Sequence, residues 1–413
     1  MQHRKSTVLL LSAALSILLC ACAGSKPAEN PNTDRDHTEN TDDTENTGNT
    51  GNAGNASEGT EDTDAAANSN DDAANSSAEA LATIPEEYHK EINGITFDMS
   101  IEMPQNIGSD ALLKSTITLQ VPDKDKALQA IAPQKEKKEE EDGTGNGEGG
   151  KEFATYRCTF ADESTLSTDL VLLYNTPFFD NVWDAFRIEK TSKFNADKYS
   201  QTQPLNFMAP EDAFENIKKM INSSGYTIEG MDYSWYALDA ATMEQEEMQM
   251  GKSGEILEGA GRDWSSEDDC YYFWMEQTHE GIPVYFGDEN FPEDSTENRP
   301  IQAVYSTRGL EHLMVYNVYD FTPLDETYQL KEFDAAAECV ASKYGDILTG
   351  ADYKVTRAKL YLMPRKDISG NYEVKLAWLF EVHESGKDSE TGEDFENVLF
   401  TFVDAETGED IPL

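Results

Sequence analysis

The chain has 413 residues, 38% of them hydrophobic, and carries a formal charge of −48 from 32 basic and 80 acidic side chains. That balance excludes nucleic-acid binding, which needs clustered Lys and Arg against phosphate, and equally a polybasic attachment to anionic lipid. Cations, a basic protein surface, or plain solubility and self-repulsion remain as uses of the charge.

At the start, His3, Arg4 and Lys5 precede an apolar run over 8–19. The run is too short to span a bilayer, and its flanks are those of a secretory signal. Leu19-Cys20-Ala21-Cys22 resembles the bacterial lipobox, in which leucine stands three before the lipidated cysteine and a small residue stands directly before it. Cys22 fits, with Leu19 and Ala21 in those places, whereas bulky Leu19 stands directly before Cys20. The resemblance implies cleavage between Ala21 and Cys22 and acylation of Cys22, palmitate included, which is enough for stable anchoring. It places the protein on the extracytoplasmic face of the cell membrane, in a Gram-positive bacterium.

Residues 22–80 are rich in Asn, Thr, Asp, Gly and Ala with almost no large apolar side chains. Such a segment buries too little surface to offset its conformational entropy and is expected to be disordered. As a flexible tether it would reach about 40 Å on average and roughly 200 Å at most.

Asn93-Gly94 precedes a clean alternation, Ile95, Phe97, Met99, Ile101, and predicts a tight hairpin opening a half-buried strand. Further period-two runs lie at 115–121, 154–160 and 169–174, with a short helix at 125–131. The charged, glycine-rich stretch 134–150 reads as a mobile loop. A helix is predicted over 210–222, opened by Pro210 and acids, with Ala213, Phe214, Ile217, Met220 and Ile221 on one face. Strand-like runs follow at 226–238 and 270–277 around a Met-, Glu- and Gly-rich loop, and 281–286 continues them. Residues 301–307 and 312–319 read as a hairpin turning at Arg308-Gly309. A second helix, 331–344, precedes strands at 353–363, 372–383 and 397–404.

Glu-Thr-Gly-Glu-Asp occurs twice, at 390–394 and 406–410, each copy reading as a polar turn with glycine where φ goes positive. Helix followed by strands occurs from Pro210 and again from Lys331, with Trp274 and Trp378 in the respective aromatic strands. The expected class is α+β, antiparallel sheets each packed by a helix. The expected segments are a signal peptide 1–21, tether 22–80, β-rich N-terminal domain 81–203, middle unit 204–327 and final unit 328–413.

The final unit, from Phe333-Asp334-Ala335-Ala336-Ala337-Glu338 through Tyr372-Glu373-Val374 to Val403-Asp404-Ala405-Glu406-Thr407-Gly408, resembles a PepSY-type domain. Gly281-Ile282-Pro283-Val284 and the hairpin after it are similar to extracytoplasmic regulators of the YycH and YycI type. Lipobox and acidic tail together resemble uncharacterised clostridial lipoproteins. These resemblances imply a regulatory or protein-interaction module without a catalytic centre, its partner an envelope protein such as a sensor kinase or a peptidase. No cofactor is implied.

The chemistry-bearing residues point the same way. Histidines 89, 279, 312 and 383 include no H-E-x-x-H pair, and Gly251-Lys252-Ser253 lacks the earlier glycine of a phosphate loop, Glu246 standing in its place. The acidic loop 288–298 has oxygen ligands enough for Ca²⁺ but not the EF-hand spacing, so a solvated loop is the favoured reading and weak calcium binding the alternative. Cys158, Cys270 and Cys339 form neither a disulfide framework nor a zinc motif, though one disulfide stays open as an alternative. Of Trp183, Trp235, Trp264, Trp274 and Trp378, Trp264 in a polar loop is the expected exposed one and the candidate platform for a surface glycan. The expected function is thus a non-catalytic envelope interaction module, with glycan binding and then an unrecognised hydrolase as alternatives.

Overall fold

The computed structural model describes residues 81, 84–104, 112–146, 152–186, 199–248, 263–286, 299–345, 350–366, 372–387 and 391–412. The signal, Cys22 and the tether lie outside them, as do 251–253 and the acidic loop 288–298.

The chain is α+β and strand-rich, with two sheets. Three times a helix is followed within six or seven residues by an antiparallel meander. The first unit is α1 (Lys124–Ile131) with β4 (Lys137–Asn146), β5 (Glu152–Phe160), β6 (Thr165–Thr168) and β7 (Leu172–Asn175). The second is α3 (Pro210–Ser223) with β8 (Gly230–Leu238), β9 (Cys270–His279), β11 (Ile301–Ser306) and β12 (Gly309–Val315). The third is α5 (Phe333–Gly345) with β14 (Asp352–Lys366), β15 (Tyr372–Lys387), β16 (Asp394–Asp404) and the two-residue β17 (Asp410–Ile411).

The first two units fuse into a nine-stranded sheet because their last strands, β7 and β12, pair antiparallel. Helices α1 and α3 lie side by side on one face, where Ala127, Ala213, Phe214, Ile217 and Ile221 meet Tyr156, Phe160, Phe273 and Ile301. On the other face, α2 (Pro177–Phe186) and α4 (Ala240–Met248) meet each other, and Phe178, Phe179, Val182 and Met243 cover Tyr272 and Val304. Both faces are therefore buried over the second-unit strands β8, β9 and β11, while β4, β5 and β6 keep their second face toward water.

The third unit builds the eight-stranded sheet, joined by β1 (Glu87–Ile92), β2 (Ile95–Glu102), β3 (Leu113–Leu119) and β13 (Tyr319–Thr327). The Asn93-Gly94 hairpin forms as expected, with φ of 52° and 80°, and β2 runs parallel to β14. Helix α5 presses Phe333, Ala337, Val340 and Tyr344 onto Phe97, Leu360, Trp378 and Phe380. Strands of 81–203 are thus shared between the two sheets.

Several expectations change. The stretch read as a mobile loop contains β4, an edge strand held by β5; Gly145 suits it because a Cβ there would lie 2.5 Å from the Phe153 ring. The run 169–174 opens as the turn between β6 and β7, which Asp169 closes by accepting the Val171 amide at 2.7 Å, and only from Leu172 is it strand. Residues 312–319 divide: β12 stays with the nine-stranded sheet, while Tyr319 opens β13 in the other. The Met- and Glu-rich loop begins as α4, and α2 follows β7, so helices beyond the two strong ones exist.

Two glutamines bind the sheets together. Gln277 of β9 donates to the Tyr319 carbonyl at 2.7 Å and accepts the Tyr319 amide at 2.9 Å. Gln120, just past β3, donates to the Thr227 carbonyl at 3.0 Å and accepts its amide at 2.7 Å. Each side-chain amide does what a neighbouring strand's peptide would do, satisfying groups that burial otherwise penalises. The short β10 (Ile282–Pro283) extends the β9 hairpin so that Val284 bridges Leu362 of β14.

Candidate functional site

Among the described residues, polar side chains converge in two places. The first is enclosed, at the end of the β11–β12 hairpin. Glu311 accepts from Ser306 at 2.6 Å, from the Arg308 Nε at 2.9 Å and from Thr176. The Arg308 guanidinium also reaches Asp268 at 3.3 Å and lies 3.9 Å over the Phe178 ring. His312, beside it, meets Asn175 at 2.7 Å and stacks on Phe179 at 3.9 Å. Burial pushes His312 down to about 3, so the ring is neutral. Ser306 bonds to Glu311 and His312 to Asn175, so no serine–histidine pair of the nucleophilic kind forms here. The cluster ties the hairpin to the start of α2.

The second place is open. The face of the eight-stranded sheet opposite α5 carries no helix among the described residues. Its apolar centre, Tyr361, Met363, Leu379 and Phe402, is closed by Tyr285, whose ring stands edge-on to Tyr361 at 5.4 Å and to Phe402 at 4.6 Å. Around it a ladder of alternating charge crosses the strands. One branch runs Glu87, His89, Asp98, Lys354, with Asp98 bonded to His89 at 2.9 Å and to Lys354 at 2.7 Å. The other runs Glu102, Arg357, Glu381, His383, Glu396, with His383 between Glu381 at 2.9 Å and Glu396 at 3.2 Å.

The ladder follows from register: His89 is the β-partner of Asp98, and Arg357 that of Glu381, so opposite charges face across neighbouring strands. Hydrogen bonding to Glu381, opposed by partial burial and reinforced by Glu396, raises His383 above the usual imidazole range. Glu87 and Asp98 do the same to His89, and Lys354 then His89 hold Asp98 below the usual carboxylate range. The arrangement offers hydrogen bonds and paired charges to a docking surface.

Other sequence candidates have plain places. Cys158 and Cys270 are buried and Cys339 half-buried, all three as free thiols. Trp264, expected to be exposed, is half-buried with its ring edge-on to Phe178 at 6.3 Å. His279 stacks on Phe321 at 4.1 Å, and burial lowers it. No group of three or more His, Cys, Asp or Glu poised to hold a metal occurs among the described residues. No helix among them is long and apolar enough to cross a membrane.

The terminal Val-Asp-Ala-Glu-Thr-Gly motif serves the fold. Asp404 accepts the amides of Glu406 and Thr407 at 3.0 and 3.1 Å, and Gly408 stands at φ 69°. The other copy of the pentapeptide likewise turns at Gly392, φ 73°.

No family model and no curated protein matches the chain. Among solved structures, an uncharacterised protein from Eubacterium rectale is similar with a TM-score of 0.56 and 17% identity, over 81% of this chain and 97% of that one. The C-terminal domain of Bacillus megaterium YpeB is more distant, with a TM-score of 0.23 and 10% identity over 70% of this chain and 96% of that one. The first of these shows a shared fold.

Proposed function

We propose that this chain is a non-catalytic interaction and regulatory module, held by lipid at Cys22 on the extracytoplasmic face of a Gram-positive cell membrane and ending in a PepSY-like unit. One observation carries the reading: among the described residues no helix covers the face of the eight-stranded sheet opposite α5, and the charge ladder from Glu87 to Glu396 lies around its apolar centre. Paired charges on an open face give orientation and partner choice more than raw affinity. The partner that fits is an envelope protein, such as a sensor kinase or a peptidase, with a complementary ladder of charge. Nucleic acid is not a partner of a chain with net charge −48.

The test is photo-crosslinking in intact cells from Thr96 and Ser100, which lie on the ladder face, with Lys126 on α1 as the control position. The same envelope protein should be captured from both face positions and not from Lys126. Repeated capture of nothing from the face removes the reading. The anchor is tested separately: Cys22→Ala should move the protein out of the membrane fraction, and its retention there contradicts lipidation at Cys22.

A further inference from the structure

The three units are completed differently. In the first two, the fourth strands β7 and β12 pair with each other, Leu172 opposite Val315 through Asn175 opposite His312. Because α1 and α3 share one face, the axis relating the two units stands across the sheet rather than within it. In the third unit the fourth place holds only β17, which pairs with β16 at Phe402 and Val403. Residues 394–401 of β16 therefore pair with β15 on one side and, among the described residues, with no strand on the other.

Other sheet edges are guarded as natural edges usually are. β1 carries Glu87, His89, Lys90 and Glu91; β13 carries Pro323, Asp325 and Glu326; β4 is a run of charges. β8 is bridged by Ser200 at Ala237. By contrast, 397–401 of β16 is Asn-Val-Leu-Phe-Thr, without charge or proline. Val398, in the middle of the open edge, is 48% exposed, one of only three exposed large hydrophobics among the described residues.

We propose that residues 395–401 form a self-association edge: β16 of one copy pairs antiparallel with β16 of a second about a two-fold axis at Val398, repeating between chains the joint that β7 and β12 make within one. An axis across the sheet keeps both α5 helices on one face and requires facing residues of the same parity. Val398 then faces Val398 of the second copy, Asn397 faces Leu399, and Glu396 faces Phe400. This register sets no carboxylate opposite its own copy, which would be unfavourable. The occupant is a second copy because the chain already contains the joint, and because the centre of the edge, 397–401, carries no charge to attract a charged strand. The large negative charge of each copy opposes the pairing, so salt strengthens it. Nothing in the pairing requires the lipid anchor or an envelope partner.

The experiment is sedimentation of the full chain with two variants at exposed Val398. The chain should show a monomer–dimer equilibrium that shifts toward dimer as salt is raised. Val398→Lys should weaken association roughly tenfold or more by placing like charges on the axis, with the thermal midpoint unchanged. Val398→Cys should give a disulfide joining 398 to 398, read by mass spectrometry, since facing Cα atoms in an antiparallel pair lie about 4.5–5.5 Å apart, within disulfide reach. A chain monomeric up to its solubility limit overturns the proposal. So does a dimer that Val398→Lys leaves intact and that forms no 398–398 link, or protection of the β16 amides only by an added foreign strand.

Discussion

The two sheets solve the same packing problem to different depths. Each is built from a helix followed by a meander, and each buries its helix-facing side in an aromatic core. The nine-stranded sheet goes further: α2 and α4 close its second face over β8, β9 and β11, and the β7–β12 joint absorbs two edges. The eight-stranded sheet stops earlier, with a ladder of charge on its second face and an unpaired stretch on β16. A fold that buries both faces has only stability to offer there. One that, among the described residues, leaves the charged margin of a face and an edge in water keeps surfaces for contact.

The comparison breaks most sharply on the second faces. Tyr272, fully buried on the second face of the nine-stranded sheet, bonds Gln302 at 2.9 Å. Tyr272→Ala should cost about 3–5 kcal/mol in denaturant unfolding. Lys354→Ala, on the second face of the other sheet, should stay within about 0.5 kcal/mol. Equal losses would mean that the open face is not open. On the first faces the sheets should instead agree, Phe273→Ala and Phe380→Ala each costing about 3–5 kcal/mol.

The next effect lies at the junction. Gln277→Leu strips both partners from the Tyr319 peptide and should cost about 2–4 kcal/mol, counting two orphaned groups. It should also separate the melting of the two sheets, visible as a second transition in calorimetry. A single unshifted transition would show that the clamp does not couple them.

Acid should act on the two sheets with opposite sign. His312 is held neutral by burial, down to about 3, while an unfolded histidine takes its proton near 6.5. Its contribution is complete above about pH 6.5 and is lost as pH falls toward about 3, at about 1.4 kcal/mol per pH unit. The difference between wild type and His312→Gln across that range isolates it from the carboxylates. His383 runs the other way. Its folded value is raised, so its stabilisation is complete below about pH 6.5 and fades as pH rises through the folded value. Exposure and salt keep that effect smaller than the one from His312. The check is the stability difference between wild type and His383→Gln, which should shrink above neutrality; a constant difference contradicts the ion pair.

Much of this architecture could be read from residues and the rest could not, for physical reasons. The Asn93-Gly94 hairpin, α3 and α5 follow from local chemistry: positive φ at Asn93 and Gly94, proline and acids at the start of α3, and apolar faces at helical spacing on both helices. Strand β4 was illegible because its stability lies in β5, while its own acids and glycines read as a loop. With β4 hidden, the first helix-and-meander unit looked like an undivided β-rich region. The division between β12 and β13 was hidden too, since one alternating run serves two sheets and the break is set by which partners lie alongside. Gln120 and Gln277 carried no signal, because a glutamine that clamps a peptide looks in sequence like any surface glutamine. At the open face, His89 and His383 were visible as lone histidines, but their carboxylate partners came together only through cross-strand register.

Hydrogen exchange at the two fourth-strand places tests the central contrast most directly. Amides of β7 and β12 should exchange only with global unfolding at every protein concentration. Those of 394–401 that point away from β15 should exchange fast in dilute solution and slow as concentration and salt rise. Equal, concentration-independent protection at both places would contradict the account, and so would an edge on β16 that stays unprotected at the highest concentration.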